Sequence, residues 1–275
     1  MTDAPPPPTS PPLLRVEHLR VTFPPRGHRP AFDALKGISF TLAPGASLGV
    51  VGESGSGKST LARAILRLTP SSGRVVIDGL DWSAAPPGTL RHARSHAQMI
   101  FQDPAGSLNP RMRILDAVLE PVAFHKLFSS KAHNLAHAQR TLEACGLSAE
   151  LSARYPHQLS GGQRQRAAIA RAIAARPKLL MCDEPTSALD VSTQAQVLNL
   201  LQDLRRDLGL TLLFISHDLA VVEHVCDQVL VMHQGEVVEV GDCREVFARP
   251  AHPYTQSLLK AVPACHFYED CPEVK

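Results

Sequence analysis

The chain has 275 residues, of which 44% are hydrophobic and 20% charged, and these proportions exclude a wholly disordered protein. Lysine and arginine total 28 against 26 aspartate and glutamate, so the formal net charge of +2 does not indicate a polyanion-binding surface. No stretch approaches the roughly 18 consecutive apolar residues of a membrane-spanning helix, and the N-terminal pattern is not that of a signal peptide. The six cysteines are therefore expected to be mostly reduced thiols of a cytosolic protein.

The first predicted elements are strands. Residues 1–13 are rich in proline, and we expect them to form an extended, disordered leader. Alternating apolar and polar residues predict a strand over Leu14–Phe23 and another over Ala34–Leu42. The apolar run Ser47–Val51 is typical of a buried strand in a parallel sheet.

Helical and strand patterns alternate through the rest of the chain, apart from a predominantly helical region between about 100 and 165. Helices are predicted over Ser59–Leu68, Ile114–Lys126, Lys131–Cys145, Gln194–Leu208 and Leu219–Val225. Strands are predicted over Arg74–Ile77, Leu179–Cys182, Thr211–Ile215 and Val229–Met232. This alternation predicts a layered α/β fold with a helical insert.

A glycine-rich loop separates the third strand from the first helix. Gly52–Ser59 fits the pattern G-x-x-x-x-G-K-[ST], and a strand before it with a helix after it supports the match. Glycines let successive backbone N–H groups turn inward around an anion, and the helix N-terminus adds about half a positive charge. We expect Lys58 to reach the β- and γ-phosphates and the Ser59 hydroxyl to bind Mg²⁺. The predicted phosphate-binding residues are Gly52, Glu53, Ser54, Gly55, Ser56, Gly57, Lys58, Ser59 and Thr60.

Two carboxylates follow the predicted strand Leu179–Cys182. Ligands of open α/β sheets bind at the carboxyl ends of strands. Asp183 fits the carboxylate that holds Mg²⁺ directly or through water. Glu184 is then placed to orient or deprotonate the water that attacks the γ-phosphate. An acidic pair alone is more often a solvated turn, and the phosphate loop upstream is what favours the catalytic interpretation.

Further motifs resemble those of a known family. Leu159–Gln163 is similar to the signature motif of ATP-binding-cassette (ABC) ATPases. Phe101–Pro104 resembles the Q-loop of that family, Ser187–Asp190 its D-loop, and Ile215–Asp218 its switch-histidine motif. The motifs occur in the family's order, and the resemblance covers about residues 14–263. It implies an α/β P-loop NTPase core with an N-terminal antiparallel β subdomain and a helical insert.

The resemblance also implies roles for single residues. Gln102 would contact Mg²⁺ and the attacking water, and His217 would contact the γ-phosphate and help to hold that water. Asp190 would shape a dimer contact. Phe23 is the candidate for stacking on adenine, and Phe32 is the alternative. The implied cofactors are ATP and Mg²⁺.

The signature residues form a second candidate anion site. They open a predicted helix that runs to about Ala175, where a hydroxyl, backbone N–H groups and a positive dipole end are available. One chain already has a phosphate loop, so a second anion site suggests completion by another chain. The family implies a head-to-tail dimer with two ATP molecules between the subunits. The residues concerned are Ser160, Gly161, Gly162 and Gln163.

Two longer segments narrow the resemblance. Phe101–Met112 and Ala251–Pro263 are similar to segments of oligopeptide, dipeptide and nickel importer ATPases. The implied function is ATP hydrolysis coupled to uptake of di- or oligopeptides, with nickel or another small solute as the alternative cargo. The implied partners are a second ABC ATPase subunit, identical or related, two integral-membrane permease subunits and, indirectly, an extracytoplasmic solute-binding protein. The implied location is peripheral, at the cytoplasmic face of the inner membrane.

The expected organisation is an ABC ATPase domain over 14–243, with a helical subdomain at about 103–165, and a C-terminal extension of oligopeptide-importer type over 244–275. Longer members of this subfamily carry a C-terminal cysteine cluster. Cys265 and Cys271 match its first spacing but fall short of four metal ligands, so free thiols are expected there.

Other functions remain open at this point. A soluble ABC ATPase acting on ribosomes or nucleic acid is the main alternative, but the sequence shows one cassette and no basic patch, so no nucleic-acid partner is expected. A P-loop kinase would not need the signature motif. Export instead of import is not decided by the cassette motifs.

Overall fold

The structure, a computed structural model, describes residues 11–25, 27 and 30–261. Most of the predicted leader and the two C-terminal cysteines, Cys265 and Cys271, lie outside these residues. Leu13, which the sequence assigns to the leader, is buried, and its carbonyl accepts a 2.8 Å hydrogen bond from the Asp78 N–H. Within the described residues, Cys145, Cys182, Cys226 and Cys243 are buried free thiols.

The described chain forms strands and helices in close alternation. The strands are β1 (Leu14–Phe23), β2 (Phe32–Leu42), β3 (Ser47–Val51), β4 (Ser72–Ile77), β5 (Leu80–Asp81), β6 (Ala97–Ile100), β7 (Leu179–Asp183), β8 (Thr211–Ile215), β9 (Gln228–His233) and β10 (Glu236–Asp242). The helices are α1 (Lys58–Ile65), α2 (Pro87–Ala93), α3 (Pro104–Ser107), α4 (Ile114–Phe124), α5 (Lys131–Ala144), α6 (Ala149–Ser152), α7 (Gly161–Ala174), α8 (Val191–Leu208), α9 (Leu219–Val225), α10 (Cys243–Ala248) and α11 (Pro253–Lys260). A 3₁₀ turn, Pro156–Gln158, precedes α7.

Two sheets organise these elements. The first is antiparallel, in the order β2-β1-β4-β5. The second has the order β10-β9-β3-β8-β7-β6, in which β10 is antiparallel to β9 and the other pairs are parallel. Helices α3 to α6 form the insert between β6 and α7. The α/β core, the antiparallel sheet and the helical insert agree with the expected fold.

Successive residues of the buried parallel strands point to opposite faces of the second sheet. Leu179 and Met181 pack with the antiparallel sheet and α1, whereas Leu180 and Cys182 pack with α7, α8 and α9. Because both faces of the sheet are covered by other elements, side chains that point to either face are apolar. This explains why the sequences of these strands are continuous apolar runs. Among the residues described, no helix combines the length and apolar character that crossing a membrane requires.

Parallel pairing sets the position of the candidate site. Strands β3, β6, β7 and β8 run in one direction, so their carboxyl ends meet at one edge of the sheet. The phosphate loop follows β3, Gln102 follows β6, Glu184 follows β7 and His217 follows β8. Residues far apart in sequence are thereby brought to a single edge, as expected for a ligand site of an open α/β sheet.

Candidate active site

The phosphate loop requires glycine at two of its positions. Gly52 has φ of 145°, and a Cβ atom there would lie 2.1 Å from the Met232 carbonyl oxygen. Gly57, which precedes α1, has φ of 106°, and its Cβ would lie 2.6 Å from the Ala34 carbonyl oxygen. Both conformations are left-handed and both contacts are with backbone, so neither position accommodates a side chain. The loop therefore packs tightly on β2 and β9 while its helix N-terminus stays available to an anion.

Lys58 lies inside this loop. Its Nζ donates to the carbonyl oxygens of Gly52 at 2.7 Å and Glu53 at 2.8 Å, and the residue is buried. Burial lowers the pKa of the Lys58 amine, and the negative charges of Glu184, Asp183 and Glu53 oppose that shift. The sequence-predicted phosphate cation is thus held at the start of α1, close to the two carboxylates at the carboxyl end of β7.

Asp183 and Ser59 meet at the same edge. Asp183 is fully buried, and its Oδ1 accepts a 2.7 Å hydrogen bond from the Ser59 hydroxyl. Its Oδ2 has no hydrogen-bond partner and lies 3.9 Å from an Arg63 nitrogen. Burial raises the pKa of this carboxyl, although the Ser59 hydrogen bond and Arg63 act in the opposite direction. A buried carboxylate oxygen without a partner beside a hydroxyl is a donor set that fits a hard cation such as Mg²⁺.

The Glu184 carboxylate contacts two side chains that follow neighbouring strands. The Gln102 Nε2 donates to Glu184 Oε2 at 2.8 Å, and His217 Nδ1 lies 3.3 Å from Glu184 Oε1. Glu184 has φ of 47°, a conformation uncommon for a residue with a side chain, and its N–H donates to the Ile215 carbonyl at 3.0 Å. The three predicted catalytic residues are therefore brought together, with the carboxylate at their centre.

These groups border one open cavity of about 450 Å³. Phe23 and Phe32 both line it, and they are paired across β1 and β2. Their exposed fractions are 44% and 58%, so both rings are accessible from solvent. The cavity is lined by Phe23, Phe32, Ala34, Ser54, Gly55, Gly57, Lys58, Ser59, Thr60, Gln102, Glu184 and His217.

The signature residues lie elsewhere in the subunit and do not line this cavity. Ser160 caps α7: its hydroxyl accepts from the Gln163 N–H at 3.3 Å, and the Gln163 Oε1 accepts from the Ser160 N–H at 3.0 Å. A Cβ on Gly162 would lie 2.3 Å from Thr193 Cγ2 of α8, so the two helices approach closely there. The predicted second anion site is thus separate from the phosphate loop within one chain.

Asp190 caps α8 and does not line the cavity either. Hydrogen bonds from the Thr193 N–H and from the hydroxyls of Ser192 and Thr193 lower the pKa of this carboxyl to about 2. The next residue, Val191, is 80% exposed.

Sequence reasoning did not identify Tyr254, which contacts the phosphate loop. The Tyr254 hydroxyl of α11 accepts a 2.9 Å hydrogen bond from the Glu53 N–H of the phosphate loop. The two residues are 201 positions apart, and no local pattern links them.

Family models match two parts of the chain. The model described as ABC transporter matches residues 35–187. The model described as oligopeptide/dipeptide transporter, C-terminal region, matches residues 238–274. The first covers the phosphate loop, the signature motif and the two carboxylates, and the second covers most of β10 together with α10 and α11.

Several relatives and solved structures are similar over most of the chain. The oligopeptide transport ATP-binding protein OppF of Streptococcus mutans is 48% identical over 91% of this chain and 82% of its own length. A putative peptide import ATP-binding protein of Brucella ovis is 46% identical over 93% of this chain and 80% of its own length. The glutathione import ATP-binding protein GsiA of Escherichia coli O157:H7 is 49% identical over 92% of this chain but only 41% of its own length.

Among solved structures, a dimeric post-hydrolysis state of the ATP-binding cassette MJ0796 bound to ADP and Pi has a TM-score of 0.76 at 29% identity, covering 84% of this chain and 99% of its own. The cbiO1 protein of Clostridium perfringens, part of the ABC transporter complex cbiONQ, has a TM-score of 0.75 at 29% identity, covering 86% of this chain and 91% of its own. These matches cover both the fold and the segments that form the candidate site, and the chain belongs to the ABC transporter family of ATP-binding proteins.

Proposed function

We propose that this chain is the ATP-hydrolysing subunit of a transporter that imports peptides. The observation that carries the proposal is the meeting of Gln102 and His217 on Glu184 beside the phosphate loop. That arrangement supplies a phosphate cradle and a base within one cavity. The relatives named as oligopeptide and peptide import proteins support the cargo class.

Groups of this chain would make the first set of contacts with a nucleoside triphosphate. The loop N–H groups and the α1 N-terminus would donate hydrogen bonds to the β- and γ-phosphates, and Lys58 would exchange its two carbonyl partners for phosphate oxygens. Ser59, Asp183 and Gln102 would hold Mg²⁺, which supplies positive charge that offsets the charge developing on the phosphates. Phe23 would stack on adenine, with Phe32 beside it.

Hydrolysis then requires a water molecule in line with the γ-phosphate. Glu184 would orient this water and accept its proton, a role that suits a carboxylate at the rim of the cavity. Gln102 contacts one carboxylate oxygen of Glu184 and His217 contacts the other, so the carboxylate has a defined orientation. His217 would also contact the γ-phosphate.

A second subunit would complete the site. Ser160 presents its hydroxyl at the N-terminus of α7, and Gly161, Gly162 and Gln163 follow it, away from the subunit's own phosphate loop. A second chain packed head to tail would place these groups, with Asp190 nearby, over the γ-phosphate of the first. Binding of ATP by both subunits would then favour the closed dimer, and loss of the γ-phosphate would favour the open one.

The assembly would sit on membrane subunits. The proposed partners are a second cassette, the same or related, two permeases and an extracytoplasmic solute-binding protein. The helical insert begins two residues after Gln102, so movement at the γ-phosphate has a short route to α3 and α4. The proposed location is the cytoplasmic face of the cell membrane.

Affinity purification from solubilised membranes of the source cell tests this function. We expect two integral-membrane proteins and a cassette subunit to be recovered with the chain, and ATP-dependent uptake of labelled peptides by vesicles that contain the complex. Recovery of ribosomal proteins in an RNase-sensitive complex, with no membrane protein, would contradict the proposal and favour the soluble alternative.

A further inference from the structure

The C-terminal helix α11 contacts the phosphate loop directly. The Tyr254 hydroxyl accepts a 2.9 Å hydrogen bond from the backbone N–H of Glu53, the second residue of the loop. Because the Glu53 N–H already donates its hydrogen bond to Tyr254, it points towards α11 and not towards the phosphate-binding site. The anion-binding N–H groups are therefore those later in the loop.

Tyr254 is itself fixed by several contacts. The Glu239 carboxylate of β10 accepts hydrogen bonds from the N–H groups of Ala251 at 2.8 Å and His252 at 3.1 Å. The His252 Nδ1 accepts from the Tyr254 N–H at 3.1 Å and so caps α11. The Tyr254 ring packs on His233, with ring centroids 4.0 Å apart. The hydroxyl is thus anchored to β9 and β10, and it is not a freely rotating surface group.

The peptide groups of Glu53 are held on both sides. The N–H donates to Tyr254, and the carbonyl accepts from Lys58 Nζ at 2.8 Å. A shift of this residue would therefore move a partner of the phosphate-binding lysine. The opposite side of the loop is tied to the turn after β9, where the Gly235 N–H donates to the Ser56 carbonyl at 3.0 Å.

We propose that Tyr254 is a positioning residue for nucleotide binding, whose hydroxyl fixes the Glu53 peptide and with it the start of the phosphate loop. The inference rests on the proposed function only in that the nucleotide binds at this loop. The proposal gives the C-terminal helix α11 a role at the nucleotide site of its own subunit.

Such a contact couples two distant parts of the chain, and coupling of this kind is reciprocal. If the Tyr254 hydroxyl favours the loop conformation that binds ATP, then ATP must equally favour the docked position of α11. A partner that displaces α11 would weaken ATP binding, and bound ATP would resist that displacement.

The test compares Tyr254→Phe, which keeps the ring on His233 and removes only the hydroxyl, with wild type. We expect ATP affinity, measured by calorimetry, to fall about 2- to 10-fold, the range of one neutral hydrogen bond. In wild type, ATP should slow deuterium exchange over residues 251–260, and in Tyr254→Phe this protection should disappear. Tyr155→Phe, in which the ring stacked on His157 is kept, is the matched control and should behave as wild type in both assays.

A second variant guards against misfolding. Glu239→Gln removes the negative charge that holds the Ala251 and His252 N–H groups, and it should reduce ATP affinity in the same direction. Unchanged ATP affinity in both variants, or ATP protection of residues 251–260 that persists in Tyr254→Phe, would overturn the inference. Lys58→Ala separates this result from the proposed function: if that variant binds ATP normally, the nucleotide site itself is wrongly placed.

Discussion

The side-chain amide of Gln102 donates a 2.8 Å hydrogen bond to Oε2 of Glu184. The other carboxylate oxygen of Glu184 lies 3.3 Å from His217 Nδ1, so the carboxylate is held from both sides. Each neighbour comes from a different strand end, β6 for Gln102 and β8 for His217. This arrangement makes the orientation of Glu184 depend on the position of the helical insert, which begins just after Gln102.

Replacing Glu184 with glutamine separates binding from hydrolysis. The Gln102 amide can still donate to the new side-chain oxygen, so the cavity keeps its shape. A neutral amide cannot accept the proton of the attacking water, and turnover should fall by about 10²-fold or more. Phosphate release measures turnover, and calorimetry with ATP and Mg²⁺ should show binding close to wild type.

The control for this substitution is Glu17→Gln. Glu17 lies on β1 and pairs with Arg15 and Arg74, outside the cavity. The control should keep the wild-type rate. A Glu184→Gln protein that hydrolyses ATP at a rate near wild type would remove Glu184 from the role of base.

The two aromatic residues at the cavity rim lead to a prediction about adenine. Phe23 and Phe32 are both well exposed, so truncation of either should cost little folding stability. Stacking of a base on an aromatic ring contributes about 1–3 kcal/mol. Phe23→Ala should therefore weaken ATP binding roughly 5- to 150-fold, while binding of inorganic tripolyphosphate, which has no base, stays unchanged.

Two further variants are needed, one as a control and one to test the alternative stacking residue. Phe124→Ala removes an exposed aromatic of α4 that does not line the cavity and should leave ATP affinity unaltered. If Phe32→Ala weakens ATP binding more than Phe23→Ala does, then Phe32 is the stacking residue and the assignment to Phe23 is wrong.

Much of the site could be predicted because its motifs are local. The phosphate loop combines a residue pattern with a flanking strand and helix, and the pair Asp183 and Glu184 follows a continuous apolar strand. The sheet then brings these segments together because parallel strands share one carboxyl edge. The sequence therefore predicted the residues, whereas the contacts of Glu184 with Gln102 and His217 came from the structure.

Other features had no local signal. Strand β6 has only four residues, Ala97–Ile100, and was not predicted, since so short a run cannot be separated from a helical region by periodicity. Helix α1 ends at Ile65 and not at the predicted Leu68, because Arg67 adopts a φ of 55° and donates to the Trp82 carbonyl. The bond between Tyr254 and Glu53 depends on the whole intervening fold.

Gly162 provides a prediction about packing between α7 and α8. A Cβ at this position would lie 2.3 Å from Thr193 Cγ2. Thr193 cannot rotate away freely, because its hydroxyl donates to Asp190 Oδ2 at 2.8 Å. Gly162→Ala should therefore lower the free energy of unfolding by about 1–3 kcal/mol, as overpacking does, measured by urea denaturation without nucleotide.

A matched glycine serves as the control. Gly88 is the second residue of α2, as Gly162 is of α7, and a Cβ on Gly88 would meet nothing within 4 Å. Gly88→Ala should leave stability unchanged or raise it by up to about 1 kcal/mol, because alanine favours helix. Equal effects of the two substitutions would show that the approach to Thr193 is not what requires glycine at position 162.

Asp227 links three elements at the sheet edge opposite the cavity. Its Oδ2 accepts from the Ser47 N–H at 3.0 Å and from Arg205 at 2.5 Å, and its own N–H donates to the Ser47 hydroxyl at 2.8 Å. These contacts join the starts of β3 and β9 to α8. Burial acts to raise the pKa of the Asp227 carboxyl, but the hydrogen bonds from Arg205 and Ser47 outweigh it and the pKa is lowered.

A lowered pKa in the folded state means that the Asp227 carboxylate stabilises the fold above the ordinary aspartate pKa of 3.8 and loses this effect as pH falls through the lower folded value. Asp227→Asn should therefore reduce the free energy of unfolding at pH 7 by about 1 kcal/mol, since half of the side chain is exposed and screened. In urea denaturation at pH 3 the difference from wild type should shrink. Asp203→Asn, which removes an exposed partner of Arg206, should change little at either pH. A difference as large at pH 3 as at pH 7 would mean that Asp227 acts through its shape and not through its charge.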